Sequence, residues 1–102
     1  MTIDEFFAWT NDRWQGYRRD DLEQMYIITA GLAGETGEVI EILKKRVRDG
    51  KFDRDDLILE LGDVVHYWCR ILNRFDITPD QVFAANVAKL EARDREKLEI
   101  RN

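Results

Sequence analysis

Proline, cysteine and histidine each occur once in these 102 residues. A lone proline at position 79 leaves long stretches with nothing to interrupt a helix. No run alternates apolar and polar residues as a half-buried strand requires. A single cysteine excludes an intrachain disulfide, and Cys69 falls in an apolar helical run, where a buried structural thiol is expected rather than a nucleophile. A single histidine excludes a two-histidine metal site built from one chain. No stretch approaches the roughly 18 apolar residues of a membrane span. The N-terminal Met-Thr-Ile-Asp-Glu has neither the basic nor the apolar segment of a secretory signal. With 16 Lys and Arg against 21 Asp and Glu, no basic stripe is left for a nucleic-acid backbone. The expectation is a cytoplasmic protein that engages neither membrane nor nucleic acid.

What is present reads as helix throughout, in one all-α domain spanning residues 1–102. Thr2 and Glu5 form a capping box that opens a first helix through about Gln15, rich in aromatic residues (Phe6, Phe7, Trp9, Trp14, then Tyr17). Asp20 or Asp21 opens a long second helix carrying Met25, Ile28, Leu32, Val39, Ile42 and Leu43. It closes in a basic turn (Lys44, Lys45, Arg46, Arg48) with Gly50 as the stop. Asp53 caps a third helix, apolar around most of its circumference, which suggests burial on several sides and the centre of a bundle. Thr78-Pro79-Asp80-Gln81 opens a fourth helix running to about Arg95, followed by a charged tail over about 96–102 that is expected to fray. The expected architecture is a four-helix-type bundle. On so short a chain, exposed aromatic and apolar helix faces imply a homo-oligomer.

Two acidic pairs stand out, Glu35-Thr-Gly-Glu38 and Glu60-Leu-Gly-Asp63, each set in an otherwise apolar run. A three-residue step puts both carboxylates of a pair on one helical face. Glu38 lies twelve residues before Gly50 and Glu60 ten after it, so an antiparallel pair of helices joined at that turn brings the two pairs to nearly one level. Four carboxylates facing one another cannot all stay ionised without a partner. Oxygen-only ligation favours magnesium or manganese over zinc, and such a site points to metal-dependent chemistry on phosphates. Setting the four acids aside leaves 17 against 16 bases, so the chain's acidity is concentrated in this site. Asp56 and Glu41 extend the two stripes. The plain alternative is that these are solvated acids on helix faces, but two pairs matched in level weigh against it. Gly34, Gly37 and Gly62 each cost about 1 kcal/mol relative to alanine within a helix. Their expected return is close helix approach and room for a bulky ligand.

On the fourth helix Asn86, Lys89 and Arg93 share a stripe about 60° wide, suited to the oxygens of a polyphosphate and to a sugar or base. An amphipathic helix often shows such residues to solvent, and Lys44, Lys45 and Arg46 are explained by the helix dipole alone. His66 is expected to be a capped core or interface histidine. The aromatic residues are mostly core, with one or two of the first helix available to stack on a nucleobase.

Three blocks in order, Gly31-Leu-Ala-Gly-Glu-Thr-Gly-Glu-Val-Ile-Glu-Ile-Leu-Lys-Lys45, Leu59-Glu-Leu-Gly-Asp-Val-Val-His-Tyr67 and Asn86-Val-Ala-Lys-Leu-Glu-Ala-Arg93, resemble the MazG-like all-α nucleotide pyrophosphohydrolases. The resemblance covers residues 30–93. It implies a helical bundle assembled as a homodimer or homotetramer, with sites completed between subunits. It implies Glu35, Glu38, Glu60 and Asp63 as catalytic magnesium ligands, and Tyr67, Asn86, Lys89 and Arg93 as substrate contacts. The implied reaction converts a nucleoside triphosphate, standard or modified, to the monophosphate and pyrophosphate, with Glu38 or Glu41 as candidates to accept the water's proton. One departure is His66, where an aromatic residue is expected before Tyr67. The competing readings are a non-catalytic helical module with a structural cation site, and a di-metal oxidase built across a dimer.

Overall fold

The computed structural model describes residues 1–14 and 21–101. It contains four helices, α1 (Ile3–Trp14), α2 (Asp21–Asp49), α3 (Arg54–Arg74) and α4 (Pro79–Arg101), and no strand among the described residues. The helix starts follow the capping chemistry. Thr2 Oγ1 accepts from Glu5 N–H at 3.1 Å while Glu5 Oε1 accepts from Thr2 N–H at 3.1 Å, and these bonds hold the Glu5 carboxyl below its usual range. Thr78 and Gln81 make the same reciprocal pair at 3.2 and 2.8 Å, with Pro79 as the first helical residue. Asp53 Oδ1 accepts from Asp56 N–H at 3.0 Å at the start of α3. Gly50 takes the left-handed conformation that ends α2, at φ 71°. Asp76 does the same after α3, at φ 56°. The expected end at Gln15, the aromatic Tyr17 and a start at Asp20 lie outside the described residues.

The α2–α3 pair forms the frame, and its direction can be read from side-chain neighbours. Gly31 meets Tyr67, Glu35 meets Glu60 and Asp63, and Ile42 shares a groove with Asp56. Rising numbers on one helix face falling numbers on the other, so the two run antiparallel as the short turn requires. Next, α1 lies against α3, and the small core collects Thr10, Ile28, Ile42, Cys69, Leu72 and Pro79. Cys69 is fully buried, and burial pushes its thiol pKa up, as expected of a structural cysteine.

Two expectations change. The third helix is not enclosed on all sides: among the described residues α2 and α1 pack along it, and Leu59 remains 67% exposed, with Ile58 and Leu61 exposed too. The fourth helix does not stop at Arg95 but continues to Arg101, since residues 95–101 contain no glycine or proline and mostly good helix formers. It meets α1, and Phe83 stacks on Trp68 of α3 at 5.9 Å and 9°. Beyond that its apolar side is open, with Phe83 44%, Val87 53% and Leu90 43% exposed. The radius of gyration is 17.4 Å, against about 13 Å for a compact chain of this length. No helix among the described residues is long and apolar enough to cross a membrane.

Candidate metal centre

The seam between α2 and α3 gathers Glu35, Glu60 and Asp63, with one carboxylate oxygen of each lying within 4.8 Å of the others. Glu35 and Glu60 are half-buried and Asp63 is exposed, so the cluster opens to solvent on one side. Glu60 Oε2 is shielded from solvent and has no hydrogen-bond partner. A protonated Glu60 donates to Glu35. This bond, then desolvation and the charges of Glu35, Asp63 and Glu38, push the Glu60 carboxyl up to about 7. Removing a carboxylate oxygen from water without a partner is costly. A hard divalent cation satisfies that oxygen and cancels the mutual repulsion, so the donor set fits magnesium or manganese.

Glu38 is the exception among the four expected ligands. It is exposed and stands outside the cluster, close enough for its charge to act on Glu60. The flanking acids serve other ends: Glu41 pairs with Lys44 at 3.7 Å, and Asp56 lines a groove at the α2–α3 turn with Lys45 and Lys51.

Tyr67 sits one turn beyond Asp63, half-buried, with its ring against the backbone of Gly31. His66 lies beside it at 5.2 Å, and His66 Nε2 accepts a hydrogen bond from Trp14 Nε1 at 3.0 Å. Burial, and then the nearby Arg70 charge, lower the His66 pKa. Through this bond the ring links α3 to α1 as an acceptor, in line with a capped core histidine.

The fourth-helix stripe is placed differently. Asn86 and Lys89 line a separate open groove with Asp76, Ile77, Gln81, Val82 and Ala85, and Arg93 is exposed further along. Because α4 does not pack along α2, the chain by itself does not build these three residues into the carboxylate seam. The physical reason is that the helix keeps its spacing but has no partner here to turn it toward the acids.

Two features of the site are not evident from the sequence pattern. One is a groove of ≈ 410 Å³ between α1 and α3, lined by Phe6, Trp9, Arg13, Ile58, Leu59, Gly62, Asp63 and His66. Aromatic stacking from the first helix is expected from the sequence; Arg13, whose guanidinium lies over Trp9 at 5.4 Å, is not. The i, i+4 spacing of Trp9 and Arg13 is the signal that marks it. The other is the glycine that permits close packing. A Cβ on Gly34, Gly37 or Gly62 would meet nothing within 4 Å, so none of them is needed for helix approach in this chain. Among the described glycines, Gly31 is the one that is. Residues 28, 31, 35 and 42 follow the helical repeat of one face, and that line, rather than proximity to an acid, distinguishes it.

Residues 24–97 match the family model of the MazG nucleotide pyrophosphohydrolase domain. The chain is also similar to the gene 37 protein of Mycobacterium phage L5, at 38% identity over 79 residues, covering 72% of this chain and 69% of that protein. No solved structure matches.

Proposed function

The chain belongs to the MazG nucleotide pyrophosphohydrolase family, and we propose that it hydrolyses a nucleoside triphosphate, ribose or deoxyribose, standard or modified, to the monophosphate and pyrophosphate. The observation that carries this reading is the shielded, unpartnered Glu60 Oε2 inside a cluster of three carboxylates. Glu35, Glu60 and Asp63 would hold magnesium, or manganese in its place. Bound there, the cation supplies Lewis acidity toward a water and charge neutralisation for the phosphates. In the reaction a water oxygen bonds to the α-phosphorus, the bond from that phosphorus to the bridging oxygen breaks, and the pyrophosphate leaves with the electron pair. Glu38, exposed one turn from Glu35, accepts the water's proton; Glu41, already paired with Lys44, is the weaker candidate for that role.

Asp63 belongs both to the cluster and to the α1–α3 groove. A nucleotide with its phosphates at the cluster therefore has its base beside Phe6 and Trp9, with Arg13 within reach of a ring acceptor. Tyr67 borders the sugar. Asn86, Lys89 and Arg93 join the phosphates when a second copy of the chain covers the apolar side of α4, which is the reason for proposing a homodimer or homotetramer. The substrate is a soluble nucleotide of the cytoplasm.

The test is pyrophosphate release from a panel of ribo- and deoxyribonucleoside triphosphates, with magnesium and with EDTA. Release that requires the cation is expected. If magnesium raises the melting temperature while no nucleotide is cleaved, the competing reading of a non-catalytic module with a structural cation site takes its place. If magnesium neither binds nor supports cleavage, the metal centre is wrong.

A further inference from the structure

We propose that Gly31 is a positioning residue for the carboxylate cluster: lacking a Cβ, it lets the Tyr67 ring lie directly on the α2 backbone, and this contact sets the α2–α3 spacing at Glu35, Glu60 and Asp63. The inference rests on the metal-centre reading above and adds to it the device that holds the acids in register. A Cβ on Gly31 would run into Tyr67 Cε1 and stand 2.6 Å from Cζ and 2.7 Å from Cδ1. Carbon atoms in contact rest about 3.5–4.0 Å apart, so a single methyl group needs roughly 1 Å more room.

Either the ring or the helix must yield. Tyr67 sits mid-helix, where the side-chain rotamers that avoid the preceding turn are few. Its ring is flanked by His66 at 5.2 Å and the Arg70 guanidinium at 5.8 Å. Both neighbours are tied to α1: His66 accepts the Trp14 hydrogen bond, and Arg70 lies over the Trp14 ring at 3.8 Å. The ring therefore has little freedom to swing, and the strain passes to the separation of α2 from α3. Glu35 lies one turn after Gly31, and Asp63 one turn before Tyr67, on the same seam. One turn is about 5.4 Å along the axis, too short for a separation of the helices to relax. Magnesium demands near-ideal octahedral geometry with oxygens at about 2.0–2.1 Å, so a displacement of roughly 1 Å between ligands on different helices is enough to weaken its binding.

The experiment is a double-mutant cycle on the full chain, with Gly31→Ala, Tyr67→Ala and the pair combined. Each is followed by calorimetric titration with magnesium chloride and by thermal melting without metal. Gly31→Ala is expected to weaken magnesium binding by roughly tenfold or more and to lower the metal-free melting temperature by about 5 °C, although alanine is the better helix former. In the Tyr67→Ala background both losses should shrink to within about threefold in affinity and about 1 °C, because the obstacle is gone. Wild-type affinity in Gly31→Ala, or an unrelieved loss in the combined variant, overturns the proposal. Should Gly31→Ala alone fail to fold, a folded combined variant supports the contact and an unfolded one refutes it. Should the wild type bind no magnesium, the metal-centre reading fails separately, and the metal-free melts decide whether Gly31 sets the spacing.

Discussion

The α2–α3 seam and the α4 helix carry polar stripes of similar design, but they differ in how the chain uses them. Both stripes follow from the same helical spacing: Glu35 and Glu38 with Glu60 and Asp63 on one hand, Asn86, Lys89 and Arg93 on the other. A short turn at Gly50 folds the first set back on itself and brings Glu35, Glu60 and Asp63 within 4.8 Å of one another. The second set has no facing helix along most of its length, and the apolar residues beside it stay about half exposed. Periodicity identifies which residues share a face. What that face meets is settled by a packing partner, and among the described residues the seam has one along its length while the α4 stripe does not.

The largest test of that contrast is substitution at the seam against substitution on α4. Asp63→Asn and Glu60→Gln are expected to reduce pyrophosphate release by on the order of 10²-fold or more, since even groups behind a metal ligand commonly account for 10–100-fold. Neither should unfold the metal-free chain, because each removes a charge from a crowded cluster. Their stabilisation by magnesium should largely disappear. Lys89→Ala should cost less, about tenfold, and mainly through KM if it contacts phosphate. A Lys89→Ala loss equal to that of Asp63→Asn would erase the distinction between the two regions.

Next in size is assembly. Val87→Asp introduces a charge on the open apolar side of α4 while leaving the seam untouched. If a second copy covers that side, self-association measured by sedimentation should weaken at least about tenfold, the equivalent of roughly 1.4 kcal/mol. Activity should then fall on dilution in parallel. An unchanged sedimentation profile would show that α4 is not the contact.

Much of this arrangement was available from the residues alone, and the remainder has identifiable physical causes. The capping boxes at Thr2–Glu5 and Thr78–Gln81, the Asp53 cap and the Gly50 stop are local chemistry, and local chemistry is written in adjacent residues. The meeting of Glu35 with Glu60 and Asp63 needed one additional step, counting residues from the turn. The departure of Glu38 from that group depends on the rotation of α2 about its own axis, which spacing does not specify. The choice among glycines shows the same limit. Gly34 and Gly37 adjoin Glu35 and Glu38 in sequence but face open space, whereas Gly31, four residues from the nearest acid, receives the Tyr67 ring. The extent of α4 is hard to read from the residues for another reason: a charged tail can remain helical where no residue terminates it.

A smaller effect concerns pH. The Glu60 carboxyl, pushed up to about 7 by Glu35, burial and neighbouring charges, holds its proton in the folded chain well above the value near 4.5 that it has when unfolded. The folded state thus binds more protons between those values. This contribution to stability is complete below about 4.5 and is lost as pH rises through about 7. Metal-free melts should therefore decline across that window, and the decline should be reduced in Glu60→Gln. With magnesium the slope should reverse, since binding requires the deprotonated acid. A metal-free melting profile that is flat from pH 4.5 to 7 in the wild type would mean that Glu35 and Glu60 do not face each other across the seam.

The smallest expected change is at Gly34, which is exposed on α2. A Cβ there would meet nothing within 4 Å, so Gly34→Ala should give only the gain in helix propensity, up to about 1 kcal/mol, or about 4–8 °C in melting temperature for a domain of this size. The sign is opposite to that expected for Gly31→Ala, three residues away on the same helix, although both substitutions add one methyl group. Because the gain arises within a single helix, it should not vary with protein concentration. A gain in dilute solution that becomes a loss at high concentration would mean that a second copy packs against this face of α2.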